Sequence, residues 1–185
     1  MAIGIFGGSF DPIHFGHLLP TLFIKEYRKL EKVFFIPSYI SPLKQNSNSV
    51  EDFHRLKMVE LAIQNIDGFD ISDFELKRKS VSYTIDTIIE FKKYYDDIEL
   101  IIGYDNYLVF EKWNKPDEII SKVKVIVMKR HSDNFDNQHN RFKDKMIFVN
   151  TPTIEISSTE IRNRIKNNLN IDYNSIDLHR LIQHN

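Results

Sequence analysis

Short, continuous apolar runs recur along the chain, and they constrain its fold more than any other feature. Ala2 to Phe6 closes on Gly7-Gly8, and "VFFIP" spans 33–37. "IELIIG" spans 98–103, "KVIVMK" 124–129 and "MIFVN" 146–150. Runs this short that do not alternate with polar residues read as strands covered on both faces, as in a parallel sheet. Phe69 to Leu76 is a further strand candidate. Between them lie helical patterns. "HFGHLLPTLFIKEYRKL" starts a helix near Ile13 or His14, with Pro20 expected in or near its first turn. Phe53, Leu56, Val59, Ile63 and Ile66 recur at helical spacing, behind a capping box from Ser49 and Asp52. Ser82 is placed to cap a helix whose Ile85, Ile88 and Ile89 share a face, and "SSTEIRNRIKNN" and "SIDLHRLIQH" read as two closing helices. The alternation predicts an α/β fold: a doubly wound parallel sheet with helices on both faces, in a single domain over 1–185.

The 185 residues contain no cysteine, which removes disulfides, thiolate metal sites and cysteine nucleophiles together. A net charge of −1 leaves no general basic footprint, so no nucleic-acid partner is expected. No run approaches the ~20 apolar residues of a membrane span, and the apolar start has no basic leader. A soluble, cytoplasmic protein without a membrane partner is the expectation. A homo-oligomer is compatible with the sequence but not specified by it.

Three of the six glycines fall between residues 7 and 16, in "GGSFDPIHFGH". Gly7 and Gly8 sit where the first strand should end, and ligands of open parallel sheets bind at the carboxyl ends of strands. Glycines there let backbone N–H groups approach a phosphate, and the following helix points its free N–H groups at the same place. Neither GxGxxG nor GxxxxGK[ST] is present. His14 and His17 lie three apart, on one helix face. They suit a phosphate site whose charge grows during reaction. Two ordinary histidines at a helix start, or half of a metal site, remain alternatives.

Other segments admit two readings each. Ser157, Ser158, Thr159 and Arg162 in "ISSTEIR" form either a donor-only cradle for a polyphosphate or an N-cap followed by a surface arginine. Trp113 is either a stacking platform or core. "SYTIDT" is at least a capped amphipathic helix, while Lys44 and Arg130 are phosphate partners or solvated charges.

"GGSFDPIHFGH" resembles the HxGH signature of the nucleotidyltransferase superfamily, whose members share a Rossmann-like fold. With "SYTIDT", "IIGYDNYLVFEKW", "VIVMKR" and "ISSTEIR" following in order, the chain looks like the bacterial nicotinate-mononucleotide adenylyltransferase family. The resemblance implies transfer of AMP from ATP to nicotinate mononucleotide, releasing pyrophosphate. It implies His14 and His17 as catalytic residues. It implies ATP contacts at Gly7, Gly8, Ser9, Phe10, His14, His17, Gly103, Ser157, Ser158, Thr159 and Arg162. It assigns Lys44, Thr84, Asp105, Trp113 and Arg130 to nicotinate mononucleotide. Magnesium would arrive on the ATP phosphates, without a protein metal site. Family members commonly have Pro-Pro-His-Lys where this chain has Ser41-Pro42-Leu43-Lys44. Asn114 replaces the aromatic residue that often follows the tryptophan, and His131-Ser132 the Pro-Gly after the arginine. Two other readings stand beside this one: a sister enzyme using nicotinamide mononucleotide or phosphopantetheine, and a catalytically silent nucleotide-binding protein.

Overall fold

The computed structural model of the protein describes residues 1–42, 50–129 and 140–171. Six strands make one sheet, all neighbours parallel, in the order β3-β2-β1-β4-β5-β6. They are β1 (Ile3–Gly8), β2 (Val33–Pro37), β3 (Phe69–Ile71), β4 (Ile98–Gly103), β5 (Lys124–Lys129) and β6 (Met146–Asn150). The apolar runs became strands because both faces are covered. On one face Phe6, Phe35, Ile101 and Ile126 pack with Leu18 and Ile24 of α1 (Phe15–Tyr27) and Val59 and Ile63 of α2 (Asp52–Ile63). On the other, Ile5, Leu100 and Val127 pack with Ile85 and Ile88 of α4 (Thr84–Phe91), Tyr107 of α5 (Tyr104–Leu108) and Ile119 of α6 (Pro116–Lys122). This is the expected doubly wound arrangement. Strand order reverses between β1 and β4, so their carboxyl ends diverge and open a crevice.

Several local expectations are corrected. The apolar pattern at 69–76 is not one strand: β3 stops at Ile71, and α3 (Phe74–Arg78) follows, its carboxyl end turning through Lys79 at φ 51°. Pro20 lies in the second turn of α1, not the first. Having no N–H, it leaves the Gly16 carbonyl without the usual i+4 donor, yet the helix continues to Tyr27. Glu51 is the N-cap of α2 and makes no side-chain cap, and the Asp52 carboxylate is paired with Arg55; Ser49 lies outside the described residues. Phe53 is exposed, and the buried face of α2 is Arg55, Val59, Ala62 and Ile63. Tyr83, not Ser82, caps α4, since the Ser82 hydroxyl accepts the N–H of Tyr39 at 2.9 Å. Ile89 points outward from α4. The first closing helix is α7 (Ser158–Lys166), and the second, "SIDLHRLIQH", lies outside the described residues.

Candidate active site

At the carboxyl edge of β1 the chain turns sharply. Gly7 is exposed, and a Cβ there would make only ordinary contact with the Ile36 carbonyl at 3.9 Å. Gly8 is different: its Cβ would lie 2.9 Å from the Phe10 ring. Phe10 holds φ 48°, a left-handed conformation uncommon for a bulky residue, and this turns its ring inward to 1% exposure. The Phe10 side chain is therefore core, and only its backbone faces the turn. Its ring meets that of His17 edge-on, with centroids 5.3 Å apart and planes at 82°.

His14 is the N-cap of α1, and His17 is its third residue. Their rings lie 3.8 Å apart, tilted by 34°. The His17 N–H donates to the His14 carbonyl at 2.8 Å, and the His14 N–H donates to His17 Nδ1 at 3.3 Å. Gly16 allows this pairing, since a Cβ there would sit 3.0 Å from the His14 ring.

The start of α7 docks on the same turn across more than a hundred residues of chain. The Ser158 hydroxyl donates to the Pro12 carbonyl at 2.9 Å, and Arg162 Nη1 donates to the Asp11 carbonyl at 2.5 Å. Arg162 Nη1 also lies 3.9 Å from the Asp11 carboxylate, and Nη2 donates to the Thr159 hydroxyl at 3.2 Å. Ser157 uses its hydroxyl as the N-cap, accepting the Glu160 N–H at 3.1 Å. The N-cap reading of "ISSTEIR" holds at Ser157. Ser158 and Arg162 tie the start of the helix to the Asp11-Pro12 turn that leads into His14.

Gly103 ends β4 and caps α5. A cleft runs from Gly16 and Pro20 on α1 to Gly103, Tyr104 and Asp105, walled by Met128, Thr151, Pro152 and Ile154. Asp105 is exposed and belongs to this wall, beside the glycine assigned to ATP. Thr84 opens α4 and Trp113 packs on Phe110 at 5.1 Å, both associated with the opposite face of the sheet. The half-buried indole has its N–H shielded from solvent, with no hydrogen-bond partner among the described residues. Lys44 and Arg130 lie outside the described residues. Among the described residues, no group of three or more His, Asp or Glu is arranged to hold a metal, and no helix is long and apolar enough to cross a membrane.

Sequence reasoning did not single out three groups. The Asp11 and Pro12 carbonyls anchor α7, and nothing local announces a contact so distant in the chain. Arg55, at 1% exposure, looks in sequence like any solvated helix charge. Glu75, buried between α3 and α4, accepts the Thr87 hydroxyl at 2.6 Å; desolvation pushes its carboxyl above the ordinary carboxylate range, opposed by hydrogen bonds from Thr87 and Ser82.

Residues 5–164 match the family model described as cytidylyltransferase-like. Nicotinate-nucleotide adenylyltransferase from Bacillus subtilis is 38% identical over 173 residues, covering 92% of this chain and 89% of that one. The chain belongs to the nicotinate-nucleotide adenylyltransferase family. Two solved structures share its fold, both of nicotinic acid mononucleotide adenylyltransferase from Plasmodium falciparum. The one complexed with NaAD has a TM-score of 0.73 at 21% identity, and the one complexed with APC a TM-score of 0.73 at 22%. Each comparison covers 92% of this chain and 87% of the other. Family membership thus agrees with the resemblance carried by the HxGH block, whose histidines stand at the crevice between β1 and β4.

Proposed function

We propose that this member of the family joins ATP and nicotinate mononucleotide, giving nicotinate adenine dinucleotide and pyrophosphate. An oxygen of the mononucleotide phosphate attacks the α-phosphorus of Mg-ATP in line. The new P–O bond forms as the bond to the β-phosphate oxygen breaks, and pyrophosphate leaves with the electron pair. No enzyme nucleophile is needed, so the protein's contribution is positioning and charge stabilisation. Magnesium belongs to the substrate: it travels on the ATP phosphates and keeps most of its waters.

One observation carries this reading. The His14–His17 pair, the open backbone at Gly7 and the start of α7 converge on one strand edge. In the proposal, Gly7, Gly8 and Ser9 line the path of the phosphates, and His14 and His17 hold the phosphates at the reacting centre. The start of α7, with Arg162, neutralises the departing pyrophosphate. Gly103 lets the adenosine lie against bare backbone, while Thr84, Asp105 and Trp113 receive the mononucleotide. The N–H groups at the start of α4 face the nicotinate carboxylate and favour the acid over the amide.

The deciding experiment is pyrophosphate release from Mg-ATP with nicotinate mononucleotide, nicotinamide mononucleotide or phosphopantetheine as acceptor, with products separated by chromatography. Fast release with the first, together with the matching dinucleotide, supports the reading. Release with another acceptor keeps the chemistry and rejects the assigned pocket. No release with any of the three, despite ATP binding, rejects the enzyme reading for these acceptors.

A further inference from the structure

We propose that Arg55 is a positioning residue that sets the mononucleotide side of the site by clamping both ends of the stretch 38–50 to the glycine turn. The inference rests on the acceptor assignment above. Arg55 is 1% exposed on the inner face of α2. Burying a guanidinium is costly unless its donors are matched, and here each of its three nitrogens has an acceptor. Nη1 donates to two carbonyls, Ser9 at 2.8 Å and Ser38 at 2.7 Å. Nε donates to the Val50 carbonyl at 3.0 Å, and Nη2 to the Asp52 carboxylate.

The origin of these acceptors is informative. Ser9 belongs to the turn after β1, where the phosphates pass. Ser38 follows β2, and Val50 lies just before α2. One rigid planar group therefore fixes three separate backbone points. A lysine ammonium, a single point on a flexible stem, cannot reproduce that fork.

The clamp also reaches further. The Ser38 N–H donates to the Gly8 carbonyl at 2.9 Å, so Ser38 is held from both sides of its peptide plane system by β1 and α2. The next residue, Tyr39, donates its N–H to Ser82 Oγ, and Ser82 returns its own N–H to the Ile40 carbonyl at 2.9 Å. Ile40 and Val81 form a parallel bridge. Two residues beyond Ser82, Thr84 opens α4. Displacement at Ser38 is therefore passed to the start of α4, where the proposal puts the mononucleotide base. Of the clamped carbonyls, Ser38 connects through this relay to that side, and Ser9 belongs to the ATP side.

The test is steady-state kinetics and calorimetric binding with Arg55→Lys, which preserves charge and removes the fork. The expected result is a KM for nicotinate mononucleotide raised about tenfold or more, with the KM for ATP within about threefold. Calorimetry should show the same split in affinity. An unchanged mononucleotide KM, or equal rises for both substrates, would overturn the proposal, whatever the melting temperature does. Should Arg55→Lys fail to fold, Asp52→Asn carries the test from the half-exposed end of the network. It should raise the mononucleotide KM by about threefold and leave ATP unchanged, and constants equal to wild type would reject the clamp. Wild-type protein is assayed alongside. If it turns over a different acceptor, the acceptor assignment fails by itself, and the KM split is read with the acceptor actually used.

Discussion

The backbone N–H of His14 donates to Nδ1 of His17, so the first turn of α1 decides which nitrogen of His17 carries the proton. An acceptor at Nδ1 requires its lone pair, which puts the proton of the neutral ring on Nε2. The ring is also confined, with the His14 ring 3.8 Å away on one side and the edge-on Phe10 contact on another. The pattern has the logic of a capping box with histidine in the place of glutamate, and it leaves Nε2–H as a preset donor.

His17→Gln should therefore keep the helix start, because glutamine can still accept the His14 N–H. Turnover should fall by about 10² as the aligned donor is lost. His17→Ala should lose at least as much. Melting temperature together with kcat reads this, and near-normal turnover in folded His17→Gln protein would remove His17 from the reacting centre.

Gly8 and Gly103 make opposite predictions from the same substitution. A methyl at Gly8 drives into Phe10 at 2.9 Å, so Gly8→Ala should cost about 1–3 kcal/mol of stability. Gly103 has ordinary extended backbone, φ −75° and ψ 161°, and nothing within 4 Å of the added carbon. Gly103→Ala should leave the melting temperature unchanged. If a nucleotide lies against that backbone, kcat/KM for ATP should still fall about tenfold. An unaltered value would mean that no ligand approaches Gly103 closely.

Trp113 packs on Phe110, so Trp113→Ala will lower stability whether or not the indole touches a substrate. The informative quantity is the ratio of Michaelis constants. The mononucleotide KM should rise about tenfold, with little change for ATP, if the ring stacks on the pyridine. A rise confined to ATP would show that the two pockets have been exchanged.

The strands were legible because burial on both faces leaves an unmistakable apolar run, and β2, β4, β5 and β6 have the bounds read from sequence. Helix α3 was hidden: at five residues it is too short to display a period, and it continues the apolar pattern of β3. Helix α6 did carry a signal, Pro116 at its first position followed by Asp117 and Glu118. The site divides along the same line. His14 and His17 are neighbours in sequence, so their pairing could be anticipated. The union of Arg162 with Asp11 and the three carbonyls on Arg55 are products of tertiary packing, and the sequence shows in each case only an arginine on a helix.

Glu75 offers a prediction about pH. Desolvation is the main force raising its carboxyl, against the Thr87 and Ser82 hydrogen bonds and the nearby Arg78 charge, with Asp86 adding to the rise. Between the ordinary glutamate value of about 4.3 and the raised folded value, the folded state holds more protons than the unfolded one. The stability this group contributes is therefore complete below about pH 4.3 and declines as pH rises through the folded value. Glu75→Gln keeps a carbonyl acceptor for the Thr87 hydroxyl and never ionises. Its melting temperature should gain on wild type as pH increases from 4 to 8, by about 2 °C or more at the upper end. A pH-independent difference between the two proteins would mean that Glu75 binds its proton equally well in the folded and unfolded states, the hydrogen bonds and the Arg78 charge cancelling the effect of desolvation.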